Sequence, residues 1–151
     1  MRIYINTSAL NRPFDDLSSE HVRLEAEALV AILAAVEDGA IEWIGSEYLD
    51  FEVDQDPDRE RVGRVRSLLG LVGTRVRTSV ALADRARALE RLGLRGLDAL
   101  HVASAEAGRA DLLVTTDDRM MRRAARAKGG LRVRLVTPPE AISILSGRRN
   151  R

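Results

Sequence analysis

Four side chains of this sequence carry oxygen donors suited to a hard divalent cation: Asn6, Glu52, Asp98 and Asp117. Such donors favour magnesium or manganese, and an octahedral magnesium ion keeps several waters, so few direct carboxylates are needed. Water on such an ion becomes a better nucleophile, and the ion offsets charge on a phosphoryl oxygen. The chemistry this set would support is hydrolysis of a phosphodiester with no covalent intermediate. Hydroxyls at Thr7, Ser8 and Thr115 stand beside two of the four positions.

Each residue also has a plainer role. Asp98, and either Asp117 or Asp118, stand at the start of helical patterns and would serve as N-caps, where Asp is favoured. Glu52 lies in an acid-rich stretch between Glu47 and Glu60 and would sit on a solvated helix face. Thr7 and Thr115 would be strand-end residues. His101, one helical turn after Asp98, is more often a packed helix residue than a catalyst. Arg119, Arg122, Arg123 and Arg126 recur at helical spacing after Asp117; they either grip phosphates or form a solvated face. The order of the four positions along the chain, at the ends of strands, favours the chemical reading over any single residue.

The elements that must position them follow from hydrophobic period. Arg2 to Asn6 alternates and reads as a first strand, followed by a loop at residues 11–16. Val22, Ala26, Leu29, Leu33 and Val36 form the stripe of a helix ending near Gly39. Ile41 to Ile44 is a second strand, and Ser46 caps a short helix through Val53. Pro57 opens a helix with Val62, Val65, Leu69 and Val72 inward, and residues 75–80 form a short third strand. Helices over residues 81–92 and 98–109, a strand at 111–115, a helix at 118–127 with Lys128 at its end, a strand at 133–136 and a helix at 139–145 complete the chain. Strands alternating with helices imply an α/β fold with a mostly parallel sheet of about five strands, flanked by helices on both faces. Residues 1–146 read as one domain, and residues 147–151 as a loose basic tail. In such folds ligands bind beyond the carboxyl ends of strands, which is where Asn6 and Asp117 lie.

Composition narrows the function further. The chain has 151 residues and no cysteine, which excludes disulfides and thiolate metal sites. No segment approaches the roughly 18 apolar residues of a membrane span, and the N-terminus lacks the apolar core of a signal peptide, so the expected location is cytoplasmic. The net charge of +1 conceals a division. Residues 1–60 hold 4 Arg and 15 Asp or Glu, a net of −11, while residues 61–151 sum to +12. An acidic region beside a basic one suits a metal site next to a phosphate-binding surface; two partly neutralising solvated faces would give the same count. With 3% aromatic residues there is little material for base stacking. No GxxxxGK phosphate loop is present, and a phospho-accepting receiver would need Asp, not Asn6, after the first strand.

Four segments together resemble the PIN domain, and within it the VapC-type toxins of toxin–antitoxin pairs: residues 3–10 (IYINTSAL), 49–53 (LDFEV), 97–103 (LDALHVA) and 113–117 (LVTTD). The resemblance implies a Rossmann-like fold and a metal-dependent endoribonuclease, with Asn6, Glu52, Asp98 and Asp117 as the metal-binding and catalytic set. It places the neighbouring hydroxyl on Thr115 and another on Thr7 or Ser8. It implies magnesium or manganese as cofactor, RNA as substrate, a cognate antitoxin that blocks the acidic pocket, and a homodimer formed through helices. Apolar faces over residues 22–36 and 62–72 would serve either the core or that interface. One departure stands out: the family has Asp where this chain has Asn6, which keeps a carbonyl oxygen but loses the charge. A naturally weakened homologue and a deliberate replacement in a harmful nuclease both fit that departure. The expected consequence is weak or absent cleavage, and the rival reading is a PIN-like module that binds RNA or protein without cutting.

Overall fold

The computed structural model describes residues 1–127 and 129–150; Lys128 and Arg151 lie outside the described residues. Five parallel strands form one sheet in the order β3-β2-β1-β4-β5: β1 (Arg2–Ile5), β2 (Glu42–Ser46), β3 (Thr74–Val76), β4 (Leu112–Val114) and β5 (Arg134–Val136). Ile3, Tyr4 and Ile5 are all buried, as are Leu112, Leu113 and Val114. Continuous apolar runs of this kind mark central strands of a sheet covered on both faces. The sheet is wholly parallel, and its third strand is Thr74–Val76 rather than residues 75–80, because Ser79 caps a helix that Val80 begins.

Helices α1 (Thr7–Asn11), α2 (Glu20–Glu37), α3 (Glu47–Asp54), α4 (Arg59–Leu69), α5 (Val80–Arg91), α6 (Gly96–Ala107), α7 (Asp118–Arg126) and α8 (Pro138–Arg149) cover it. Several starts are written locally. Ser46 accepts from Leu49 N–H at 3.0 Å, Asp58 from Arg61 N–H at 3.1 Å, and Ser79 from Leu82 N–H at 3.0 Å. Ala99, Val102, Ala103 and Ala105 bring α6 close to the sheet. Its exit passes so near β2 that a Cβ on Gly108 would land on Ile44 Cγ2 and crowd Val76 Cγ2 at 3.1 Å.

Three further expectations change. The segment after β1 is not simply a loop: α1 and a 3₁₀ turn at Arg12–Phe14 precede α2. Asp98 does not open its helix, because α6 begins at Gly96 with Arg95 as an N-cap whose side chain makes no capping bond. Residues 147–149, read as a loose tail, continue α8 to Arg149; the capping box of Thr137 and Glu140 starts that helix, and no Gly-mediated stop interrupts it at Gly147.

The arm between α1 and α2 is held by charge. Arg12 binds the buried Glu25 of α2 at 3.0 Å and Asp15 at 3.0 Å, while Arg61 of α4 reaches Asp15 at 3.0 Å and the Phe14 carbonyl at 3.2 Å. Glu25 is 3% exposed, and its other neighbour, His21, is a counter-charge only when protonated. Arg12→Met therefore strands a buried carboxylate. The expected loss is about 3 kcal/mol of unfolding free energy in urea at neutral pH. Glu25→Gln should cost clearly less, because Arg12 keeps Asp15. Equal losses for the two variants would show that the pair is not the source.

Candidate active site

The strand order reverses direction at β1, with β2 on one side and β4 on the other. Crevices form at such points, beyond the carboxyl ends of the strands. Asn6 follows β1, Glu52 lies in the helix that follows β2, and Asp117 caps the helix that follows β4. Asp98 sits in the first turn of α6. The four positions named from sequence thus come from four successive crossings of the fold.

Three carboxylates share an electrostatic environment. Asp98 is held above the usual carboxylate range, first by its burial and next by the charge of Asp117; Glu52 adds to the push, while His101 and Arg123 oppose it. Burial also pushes Glu52 up, but His101, first of all through its hydrogen bond, outweighs it and holds Glu52 below its ordinary value. The Thr7 hydroxyl, buried and without a partner of hydrogen-bonding geometry, adds a weaker pull on the same carboxylate.

Asp117 does what its plainer role predicts and remains available for more. One carboxylate oxygen, Oδ1, accepts from Arg119 N–H at 2.9 Å and Met120 N–H at 3.1 Å. Those bonds use one oxygen only. Asp117's own N–H donates to Thr115 Oγ1 at 3.1 Å, which ties the acid to the end of β4.

Asn6 is 4% exposed and faces inward. Its Oδ1 accepts from Thr7 N–H at 2.9 Å, which fixes the amide orientation. Nδ2 then donates to Thr115 Oγ1 at 3.3 Å and to Met120 Sδ at 3.4 Å. Thr115 Oγ1 also lies 3.1 Å from Ser8 Oγ, which accepts from Thr116 N–H at 3.1 Å. With two donors already upon it, the Thr115 hydroxyl is left to donate to Ser8. Thr115 is a hub that locks the ends of β1 and β4 together.

Beneath Glu52 lies a polar chain that sequence reasoning left unconnected. His101 is fully buried; its Nε2 is 3.3 Å from Glu52 Oε1 and its Nδ1 is 2.6 Å from the Tyr4 hydroxyl. The Tyr4 hydroxyl is in turn 2.7 Å from Ser46 Oγ. Burial pushes the Tyr4 hydroxyl far above its ordinary range, so it stays protonated. A polar-capable residue in the middle of an otherwise apolar central strand was the one signal available in the sequence.

The arginines after Asp117 divide. Arg119, Arg122 and Arg126 are exposed, whereas Arg123 turns toward Asp98, with Nη1 3.9 Å from Oδ2. Arg123 is thus a counter-charge of the acidic site as well as a member of the basic face.

The described residues hold no group of three His, Asp or Glu side chains close enough to form a ready-made metal cage. The donor set nevertheless fits a hydrated cation. Carboxylate oxygens are hard donors, Asp98 is held above its ordinary range by burial and by the charge of Asp117, and the buried Thr7 hydroxyl beside Asn6 has no hydrogen-bond partner.

The PIN domain family matches residues 3–127. The chain belongs to the PIN domain family. The match spans the segments of Asn6, Glu52, Asp98 and Asp117. In fold, the chain is similar to VapBC2 from Rickettsia felis, solved bound to a DNA fragment from its promoter. That likeness has a TM-score of 0.55 at 15% identity and covers 91% of this chain and 98% of that chain. Among curated proteins none matches. PIN domains are a family of nucleases that typically depend on metal, and no helix among the described residues is long and apolar enough to cross a membrane.

Proposed function

We propose that the chain is a divalent-metal-dependent endoribonuclease of the toxin type, with Glu52, Asp98, Asp117 and the side chain at position 6 around the metal. The observation that carries this reading is the electrostatic tension among Asp98, Asp117 and Glu52 at the reversal point of the sheet. Acids shifted by burial together with a neighbouring charge cluster at functional sites. Magnesium or manganese bound there would supply an activated water and charge stabilisation at the phosphoryl group.

The protein's own residues have separable tasks. Asp98 and Asp117 would present oxygens to the cation, Asp117 through Oδ2, since Oδ1 is committed to capping α7. Glu52, kept ionised by His101, would orient the attacking water. The Thr115 hub would hold the two sides of the crevice at fixed separation. Arg119, Arg122 and Arg126 would contact flanking RNA phosphates. Scarce aromatic residues leave recognition to shape and polar contacts. A cognate antitoxin supplying a basic group to the acidic crevice is the partner that the family and the VapBC2 likeness suggest, together with a homodimer in the cytoplasm.

Asn6 favours a second reading. Its amide is satisfied on all sides and contributes no charge, as a non-cleaving RNA- or protein-binding domain would allow. Cleavage of structured and single-stranded RNA by this chain and by Asn6→Asp, with manganese and with chelator, separates the two. Metal-dependent cleavage by the Asp variant supports the nuclease; inert protein in both forms, with no metal binding, leaves the binding module.

The arginine assignment is tested apart from catalysis. Replacing Arg119, Arg122 and Arg126 together by Ala should weaken RNA binding and lower the salt slope of the logarithm of the binding constant by about 2–3. An unchanged slope would return these residues to a solvated face.

A further inference from the structure

We infer that His101 is a positioning residue for Glu52, held in its Nε2–H tautomer by a one-way hydrogen-bond chain through Tyr4 and Ser46. This rests on the reading of Glu52 as a member of the metal site. The direction of the chain follows from its last acceptor. The Glu52 carboxylate can only accept, so a neutral His101 ring turns its N–H toward Oε1 and leaves Nδ1 to accept from Tyr4; Ser46 Oγ, which accepts from Leu49 N–H at 3.0 Å, then donates to Tyr4 at 2.7 Å. The Tyr4 hydroxyl then donates to His101 Nδ1 at 2.6 Å. An accepting Nδ1 places the proton of the neutral ring on Nε2, which donates to Glu52 Oε1 at 3.3 Å.

The chain closes on itself. It starts at the cap of α3 with Ser46, crosses β1 at Tyr4 and α6 at His101, and returns to α3 at Glu52. Ser46, Tyr4 and His101 are each fully buried, so no water competes for these bonds. The Tyr4 and His101 rings also pack at 5.7 Å between centroids, which restrains the imidazole plane. Glu52 has 28% of its side chain exposed and would otherwise sample several rotamers. A single directed donor from a rigid ring limits it to those that face the crevice. Outer partners of this kind commonly change metal affinity when removed.

The test joins a spectroscopic readout to a binding one. Long-range ¹⁵N NMR of the metal-free protein at neutral pH should show His101 with a protonated Nε2 and an unprotonated Nδ1. Tyr4→Phe, which removes the donor to Nδ1, should give a mixture of tautomers. In calorimetric titration with Mn²⁺, His101→Leu should weaken binding about tenfold. His101→Gln, which keeps an N–H donor, should recover part of that loss. In a Glu52→Ala background His101→Leu should have no further effect. An Nδ1–H tautomer in the parent would overturn the inference. So would a His101→Leu loss that persists at full size without Glu52, since it would then arise from packing. Manganese binding that follows this pattern in a protein that cleaves no RNA, even as Asn6→Asp, would sink the nuclease reading and leave the positioning role intact.

Discussion

Asn6→Asp is expected to raise metal-dependent RNA cleavage by about 100-fold or more, the scale of a single electrostatic contributor at a dry reaction centre. The present amide spends both of its groups inside the chain, on Thr7, Thr115 and Met120. A carboxylate in its place would keep the bond from Thr7 N–H. The Thr115 hydroxyl could turn from Ser8 toward it, so the fold has a donor ready. What the variant adds is a carboxylate at a position only 4% exposed, with no cation among the partners of the present side chain. Without metal the Asp variant should therefore be less stable than the parent, and manganese should raise its melting temperature more than the parent's. Scanning calorimetry with metal and with chelator reads this directly. An Asp variant equally stable in both conditions and no more active would show that position 6 does not face the cation.

The second large effect concerns Asp98, where function and stability should move in opposite directions. Asp98→Asn removes a central hard ligand and is expected to cut manganese affinity by at least about tenfold, with cleavage by the Asn6→Asp form lost alongside. The same change should stabilise the metal-free fold at neutral pH. A folded-state value raised above the ordinary 3.8 means that the folded chain takes up this proton more readily than the unfolded one. That contribution is present below the unfolded value and is lost as pH rises through the folded one, so ionised Asp98 costs stability at pH 7. Relief of about 1 kcal/mol corresponds to roughly 2–4 °C in a domain of this size. The gain should disappear below about pH 4, where the parent carboxyl is protonated in both states. A variant that is less stable at pH 7 would mean that the weak contact with Arg123 outweighs the repulsion.

Much of the frame was legible because it is encoded locally. β1 read as a strand from the alternation of Arg2 to Asn6, β4 from a short apolar run, and α2 from its stripe. The cap at Ser46 was legible, and the choice left open between Asp117 and Asp118 falls on Asp117; each bond spans only two or three residues. Alternation of strands and helices implied the parallel sheet, and the family segments implied the acids. Helix α1 was not legible. Its five residues are too few to show a period and too short to be stable alone. Pro13 so soon after it made the whole stretch read as a loop.

The candidate site shows the same division. Asn6, Glu52, Asp98 and Asp117 could be named by residue type and order along the chain, because oxygen donors at strand ends are a linear pattern. Their mutual field, and the fate of each proton and lone pair around them, could not. Tyr4 meets His101 across 97 positions, Asn6 meets Thr115 across 109, and Arg123 of α7 reaches Asp98 of α6. Hydrogen bonds of this kind depend on ångström-scale placement by packed elements. A pattern of residue types carries no such distances, so the elements and the acids belonged to the sequence, and their partners belonged to the tertiary structure.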